Sequence, residues 1–313
     1  MTITDKKYHI LINKDSGGAQ YHGQGKLRKI AKDSDIDVQS FRFLSAEGVI
    51  EEFTELSQNK KRVLIGGGDG TIKACAQTAL KHKNGFGIIP LGTMNLLARD
   101  VGVPEDVGEA LETYADHAQE RYFDVGTINN QLFLCCAGLG TIPEASEYRE
   151  QTRDQAAIKS FPRLAAVVWS SLERLKNQRI SLNIDGKIKK IRSSSLVVSN
   201  NSFNEEPSIG IDGLQKESLN RGLLGVYSVS PRTVIDRLRV LSRLAIGSWQ
   251  KDPVVKSWQG QAVSIFTKQD RQLLSLDGET VVMKTPLECR IKPSALPLLV
   301  PVTSSSTHEL RAV

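Results

Sequence analysis

"RVLIGGGDGTIKACAQ", Arg62 to Gln77, sets three glycines, an aspartate, a fourth glycine and a threonine directly after a short apolar run. An apolar run closed by glycines and followed by helical spacing reads as strand, tight loop and helix. Glycines let the main chain approach a charged group without interference from Cβ atoms. Their exposed amides, with the helix N-terminus, supply partial positive charge suited to phosphate. Thr71 would cap the helix or bond a phosphate oxygen. Asp69 is the informative residue, because a carboxylate aimed into a phosphate site is repulsive unless a divalent cation lies between them.

Spacing excludes two familiar phosphate loops. A Walker A loop needs GxxxxGK followed by Ser or Thr, whereas Lys73 lies three residues beyond the last glycine and is followed by Ala74. The dinucleotide fingerprint GxGxxG fails because Gly66 and Gly68 are followed by Thr71 where the third glycine belongs.

Working outward, strand-like and helix-like segments alternate. "YHILINK" precedes the polar, glycine-bearing loop "NKDSGGAQYHGQGK", followed by the helical "LRKIAKDS" and the strand-like "DVQSFRFL". "EGVIEEFTELSQ" is helical, as is "TIKACAQTALKHK"; the strand "FGIIPLG" and a helix through "TMNLLARDVG" follow. Such alternation predicts a parallel sheet covered by helices, with ligands bound beyond the carboxyl ends of the strands. The second loop "PLGTMN", Pro90 to Asn95, repeats the order of glycine, threonine and helix. The loop with Asn13, Ser16, Gly17 and Gly18 would form a third side of the same nucleotide wall.

After about Arg121 the texture becomes strand-rich. "YFDVGTINNQLFLCCAGLG" joins two apolar runs through "NN", and "ISLNIDGKIKKIR" carries the "DG" of another hairpin. A helical insert is expected over residues 144–177. The predicted domains are an α/β unit at residues 1–122, to which residues 296–313 return, and a β-rich unit at residues 123–295.

The 313 residues, 40% hydrophobic and 24% charged, describe a folding chain rather than a disordered one. Neither a secretory signal nor a membrane-spanning apolar run is present, and the four cysteines lack paired CxxC spacing; these features point to the cytoplasm and to reduced thiols. The net charge of +6 favours anionic partners such as nucleotides, phospholipid headgroups or nucleic acid without choosing among them.

"NKDSGG", "GGGDGTIKACAQ", "GIIPLGTMNLLARDVGVP" and the late "LSLDGE" resemble, in order, the four signatures of the diacylglycerol kinase catalytic domain family, specifically its soluble bacterial lipid kinases. The similarity spans nearly the whole chain, although "GGDGT" alone is shared with NAD kinases and, more distantly, phosphofructokinases. The resemblance implies an N-terminal α/β domain like theirs and a C-terminal antiparallel β-sandwich, with the active site in the cleft between domains. It implies ATP as donor, Mg²⁺ as cofactor and a lipid hydroxyl as acceptor, with transient contact at the membrane surface; a homodimer is one assembly open to it, and nucleic acid is not an implied partner.

Residue by residue, the resemblance assigns nucleotide contacts to Asn13, Ser16, Gly17, Ser45, Gly67, Gly68, Asp69, Gly70, Thr71, Thr93 and Asn95, and the metal to Asp69. It places Asp277 and Glu279 near the transferred phosphoryl group, with Glu279 as general base. An extended segment would point these two carboxylates the same way, while "DG" also reads as a hairpin turn. Three positions depart from the family: Lys14 replaces a proline, Met94 a glycine, and Arg221 an acidic residue that in relatives binds a structural Mg²⁺. Two other readings stay open: an NAD kinase, and a nucleotide-binding regulatory protein without catalysis.

Overall fold

A computed structural model of the chain describes residues 7–116, 118–140, 177–204 and 215–301. The expected helical insert lies outside these residues, apart from Asn177, and so do positions 302–313 of the expected C-terminal return. The chain divides into two compact units, Met1–Phe123 with Ser294–Val313, and Asp124–Pro293.

In the first unit, β1 (Tyr8–Asn13), β2 (Val38–Leu44), β3 (Arg62–Gly67) and β4 (Phe86–Pro90) form a parallel sheet in the order β2-β1-β3-β4. β3 is buried over five of its six residues and β4 over all five, as expected of parallel strands covered on both faces. The helices are α1 (Gly17–Asp33), α2 (Ala46–Gln58), α3 (Asp69–His82), the short α4 (Leu96–Asp100) and α5 (Val107–Asp116). α2 turns Val49 and Phe53 inward and α3 turns Ile72, Cys75, Ala76 and Ala79 inward, the two helices lying side by side. Phe53 meets Phe86 edge to face at 5.3 Å.

One local expectation fails: the stretch read as loop as far as Lys26 is helical from Gly17. Its glycines argue against a helix by propensity, and the helix does break at Gly23, where φ is 74°. What holds the first turn is tertiary. The Gly18 amide donates to the Leu91 carbonyl at 2.9 Å, and a Cβ at Gly18 would lie 2.9 Å from the Leu91 Cα.

In the second unit, β7 (Cys136–Gly140), β10 (Ser195–Asn200), β11 (Leu224–Val229), β12 (Val255–Gly260), β14 (Arg271–Leu276) and β15 (Glu279–Lys284) make an antiparallel sheet in the order β12-β11-β10-β7-β14-β15. A second antiparallel layer contains β8 (Gln178–Ile184), β9 (Lys187–Ser193) and β13 (Ala262–Phe266). It also takes in the first residues of β16 (Leu287–Pro301), which pair with β13. Further along β16, Leu298 belongs to the first unit and pairs parallel with Phe86.

Side chains of both layers, among them Leu139, Leu182, Val198, Val226, Val263, Leu274 and Cys289, fill one core, so the unit is a β-sandwich. The hairpins fall at the expected dipeptides. β5 (Ala118–Ile128) and β6 (Gln131–Phe133) turn at Asn129–Asn130, and β8 and β9 turn at Asp185–Gly186, with positive φ at all four residues. The α-helix α6 (Val234–Ala245) of this unit is held at its start by a reciprocal cap between Thr233 and Asp236.

Candidate functional site

In the first unit the three small-residue loops meet at the carboxyl ends of β1, β3 and β4. A Cβ on Gly92 would stand 2.6 Å from the Gly68 Cα, so the "GGGDGT" and "PLGT" loops touch main chain to main chain. Asp69 locks them together: its Oδ1 accepts from the Leu96 amide at 2.8 Å and its Oδ2 from the Asn95 amide at 3.1 Å. Asn95, in the left-handed region with φ 49°, folds its side chain back onto Gly92, accepting from its amide and donating to its carbonyl. The carboxylate that the sequence suggested must face a cation therefore has backbone N–H partners at the start of α4. This long-range brace was missed, since no local pattern links residue 69 to residues 95 and 96.

Asn13 is buried. Its Oδ1 accepts the Asp15 amide at 3.0 Å, which turns Nδ2 toward Thr71 Oγ1, 2.8 Å away. Because Thr71 Oγ1 accepts that bond, its own hydroxyl proton is left to donate elsewhere. Ser16 is buried and donates to the Asn13 carbonyl at 2.7 Å, shaping the loop ahead of Gly17. Ser45 follows β2 and accepts from the Gly48 amide at 3.2 Å as the N-cap of α2. Gly68 brings no side-chain cap to α3, whose first main-chain bond runs from Ile72 to Gly68. The amides of Gly70 and Thr71 are thus left out of the helix's own ladder. Gly70 and Thr93 are exposed, and Gly67 is pressed so closely on Thr71 that a Cβ would come within 2.7 Å of the threonine Cβ.

In the second unit, Asp277 and Gly278 are the two central residues of the β14–β15 hairpin, with φ of 53° and 92°. This corrects the expectation that Asp277 and Glu279 share one face of an extended segment. The turn sends the Asp277 carboxylate to the amides of Leu134 (3.0 Å), Cys135 (2.7 Å) and Cys136 (3.1 Å). Glu279 is exposed as the first residue of β15.

Around the same 134–136 turn lie polar residues the sequence reading did not single out. Buried Asn200 donates to the carbonyls of Asp124 and Leu134, and Lys216 reaches the Cys135 carbonyl and the Ser199 hydroxyl, with its ammonium over the Phe203 ring at 3.6 Å. Buried Asp124 accepts the Gly222 amide at 2.6 Å, and beside it Arg221 pairs with Glu217. The "SNN" of residues 199–201 was the available signal, since consecutive asparagines ending a buried strand need partners.

Mg²⁺ fits this chain as an ion carried by a nucleotide. Among the described residues, no group of three or more His, Cys, Asp or Glu side chains could hold a metal. The Asn95 and Leu96 amides bond one oxygen each of the Asp69 carboxylate, and a carboxylate oxygen that accepts an N–H can also ligate a cation. One carboxylate beside phosphate oxygens and waters is an ordinary Mg²⁺ environment.

The fold and these loops define a parallel α/β unit with phosphate-type loops joined in sequence to an antiparallel sandwich. The diacylglycerol kinase catalytic domain pattern matches residues 7–128, and that of the YegS C-terminal NAD kinase beta sandwich-like domain matches residues 145–300. The chain belongs to the diacylglycerol kinase catalytic domain family.

Among its relatives, an uncharacterized protein of Synechocystis sp. is 23% identical over 96% of this chain and 71% of its own length. A diacylglycerol kinase of Bacillus subtilis is 26% identical over 69% of this chain and 70% of its own length. The crystal structure of a diacylglycerol kinase from Bacillus anthracis str. Sterne superposes with a TM-score of 0.67 at 16% identity, covering 96% of this chain and 98% of that one, and so shares the fold.

Proposed function

We propose that the chain is a lipid kinase that transfers the γ-phosphoryl group of ATP, in the presence of Mg²⁺, to a hydroxyl of diacylglycerol, a sphingoid base or a related lipid alcohol. The observation that carries the nucleotide half of this reading is the Asn13–Thr71 pair beside the Gly70 and Thr71 amides, where a hydroxyl proton left to donate and unspent N–H groups converge on one loop. The family's name, and those of the diacylglycerol kinases among its relatives, support the lipid acceptor.

Phosphoryl transfer asks chiefly for positioning and charge neutralisation. In this reading Gly67 to Thr71 cradle the phosphates through main-chain amides, and the Thr71 hydroxyl donates to a phosphate oxygen. Asn13, Ser16, Gly17, Ser45, Thr93 and Asn95 shape the surrounding nucleotide wall, and Asp69 keeps its two loops together. Bound Mg²⁺ would neutralise phosphate charge, with Asp69 as its one protein ligand. Glu279 accepts the proton of the attacking lipid hydroxyl as the new O–P bond forms and the γ-phosphoryl bond to ADP breaks. Asp277 acts at one remove, holding the 134–136 turn against the hairpin that carries Glu279.

The test is incubation of purified protein with γ-labelled ATP, Mg²⁺ and a panel of dispersed lipid alcohols, with NAD as a competing acceptor. Label is expected in a phospholipid, and Thr71→Val is expected to raise KM for ATP. Label in NAD instead, or ATP binding with no transfer to any lipid, would overturn the proposal.

A further inference from the structure

Away from the loops and the hairpin described above, the second unit carries a cluster of arginines with no partner in that chemistry. β8 and β9 place Arg179 directly opposite Arg192, an arrangement of like charges that weakens an antiparallel pair. Arg232, just ahead of α6, joins them. Asn177, Arg179, Arg192, Ser230 and Arg232 line a cavity of about 530 Å³. Among the described residues no carboxylate lines it, all three arginines are exposed, and no ion pair joins any of them to a described residue. Asp236, which follows closely in sequence, is committed elsewhere: it accepts the amides of Arg232 and Thr233 and pairs with Arg239. Such a cavity is built for a polyoxygen anion such as phosphate.

The helix that starts beside the cavity supplies the second observation. Val234 (55% exposed), Ile235 (72%), Leu238 (54%) and the C-cap residue Ile246 (55%) fall within about 120° of one another at about 100° per residue. The orientation is fixed from behind. Leu244 packs against the cluster of Phe203, Tyr227, Trp249 and Val255, while Arg239 and Arg243 both pair with the buried carboxylate of Asp252. The apolar stripe is therefore held outward by the helix's own anchoring, and Arg232 precedes its first residue by two positions.

We propose that the tri-arginine cavity and the exposed stripe of α6 together dock the protein on an anionic bilayer, with a phosphate-bearing lipid headgroup in the cavity and the stripe in the headgroup–acyl boundary. A soluble phosphate would engage the cavity but has no use for four outward aliphatic side chains. A surface that is anionic outside and apolar just beneath matches both features. The inference builds on the lipid-kinase reading, because a lipid acceptor is reached from a membrane surface, but its test needs no nucleotide.

Flotation of the full chain is measured with vesicles of phosphatidylcholine alone and of phosphatidylcholine with phosphatidylglycerol at about 7:3. The wild-type protein is expected on the anionic vesicles. Each basic side chain at such a surface is worth about fivefold, so R179Q/R192Q/R232Q should weaken partitioning about a hundredfold. I235S/L238S should also release the protein. K187Q/K256Q/K268Q removes the same number of exposed charges outside the cavity and should weaken binding far less.

Failure of the wild type to float, wild-type flotation of either cavity or stripe variant, or equal losses for the cavity and control variants would overturn the proposal. Urea unfolding verifies that each variant is folded; should the cavity variant misfold, I235S/L238S carries the test alone. Transfer to lipid dispersed in detergent is read separately, so its loss in a chain that still floats would strike the kinase reading and leave the docking surface standing.

Discussion

Replacing Asp69 with Asn separates the two roles open to that carboxylate. The structure gives each of its oxygens one backbone amide, Leu96 at 2.8 Å and Asn95 at 3.1 Å. An asparagine can accept only one of these bonds, and its NH₂ then confronts the other N–H. A hydrogen bond to a charged group is worth about 1.5–3 kcal/mol, and Asp69 is half-buried, so about 1.5–2 kcal/mol is a fair figure for the loss.

In a compact unit of the size that carries Asp69 each kcal/mol moves Tm by about 2–4 °C, so Asp69→Asn should lower that unit's Tm by about 3–8 °C with neither nucleotide nor Mg²⁺ present. ATP titrations with and without Mg²⁺ complete the assay. A brace predicts weaker ATP binding in both conditions. An unchanged Tm, with affinity lost only when Mg²⁺ is present, would refute the brace and leave Asp69 purely a metal ligand.

Gly92→Ala puts a methyl 2.6 Å from the Gly68 Cα, where neither backbone can yield without parting the loops; ATP affinity should fall at least about tenfold by calorimetry, and an unchanged Kd would contradict the loop contact. Acid should loosen the second unit through Asp252. Burial alone would raise the Asp252 pKa, but the hydrogen bond from Arg239, the Val254 amide and the charges of Arg239 and Arg243 outweigh it and hold it below the usual carboxylate range. A depressed folded-state pKa contributes stability above the ordinary Asp value, lost as pH falls through the folded one. The difference in urea midpoint between wild type and Asp252→Asn should therefore be largest near neutrality and shrink below about pH 4, and a difference independent of pH would refute this.

Much of the fold was legible because it is written locally. The Arg62–Gln77 stretch is strand, loop and helix as its pattern says, and the dipeptides at residues 129–130 and 185–186 turn the chain where two-residue hairpins need positive φ. The start of α1 was not legible, because glycines that disfavour a helix by propensity are held by Gly18 against Leu91, a neighbour more than seventy positions away. The same holds for the site. The glycine loop picked out Asp69 and the family resemblance picked out Asp277, but their bonds to residues 95–96 and 134–136 are tertiary, and both carboxylates hold loops together before any ligand is considered. Extended pairing was the wrong geometry for Asp277 and Glu279 because Gly278 completes a turn.

The central claim is that the chain phosphorylates a lipid, with one loop system holding the triphosphate and Glu279 taking the proton. The most direct measurement is a paired one on Glu279→Gln, comparing ATP affinity by calorimetry with the rate of labelled phospholipid formation. The account predicts an ATP Kd within about twofold of wild type and a transfer rate lower by about a hundredfold or more. Transfer at the wild-type rate, or loss of ATP binding and transfer together, would contradict it.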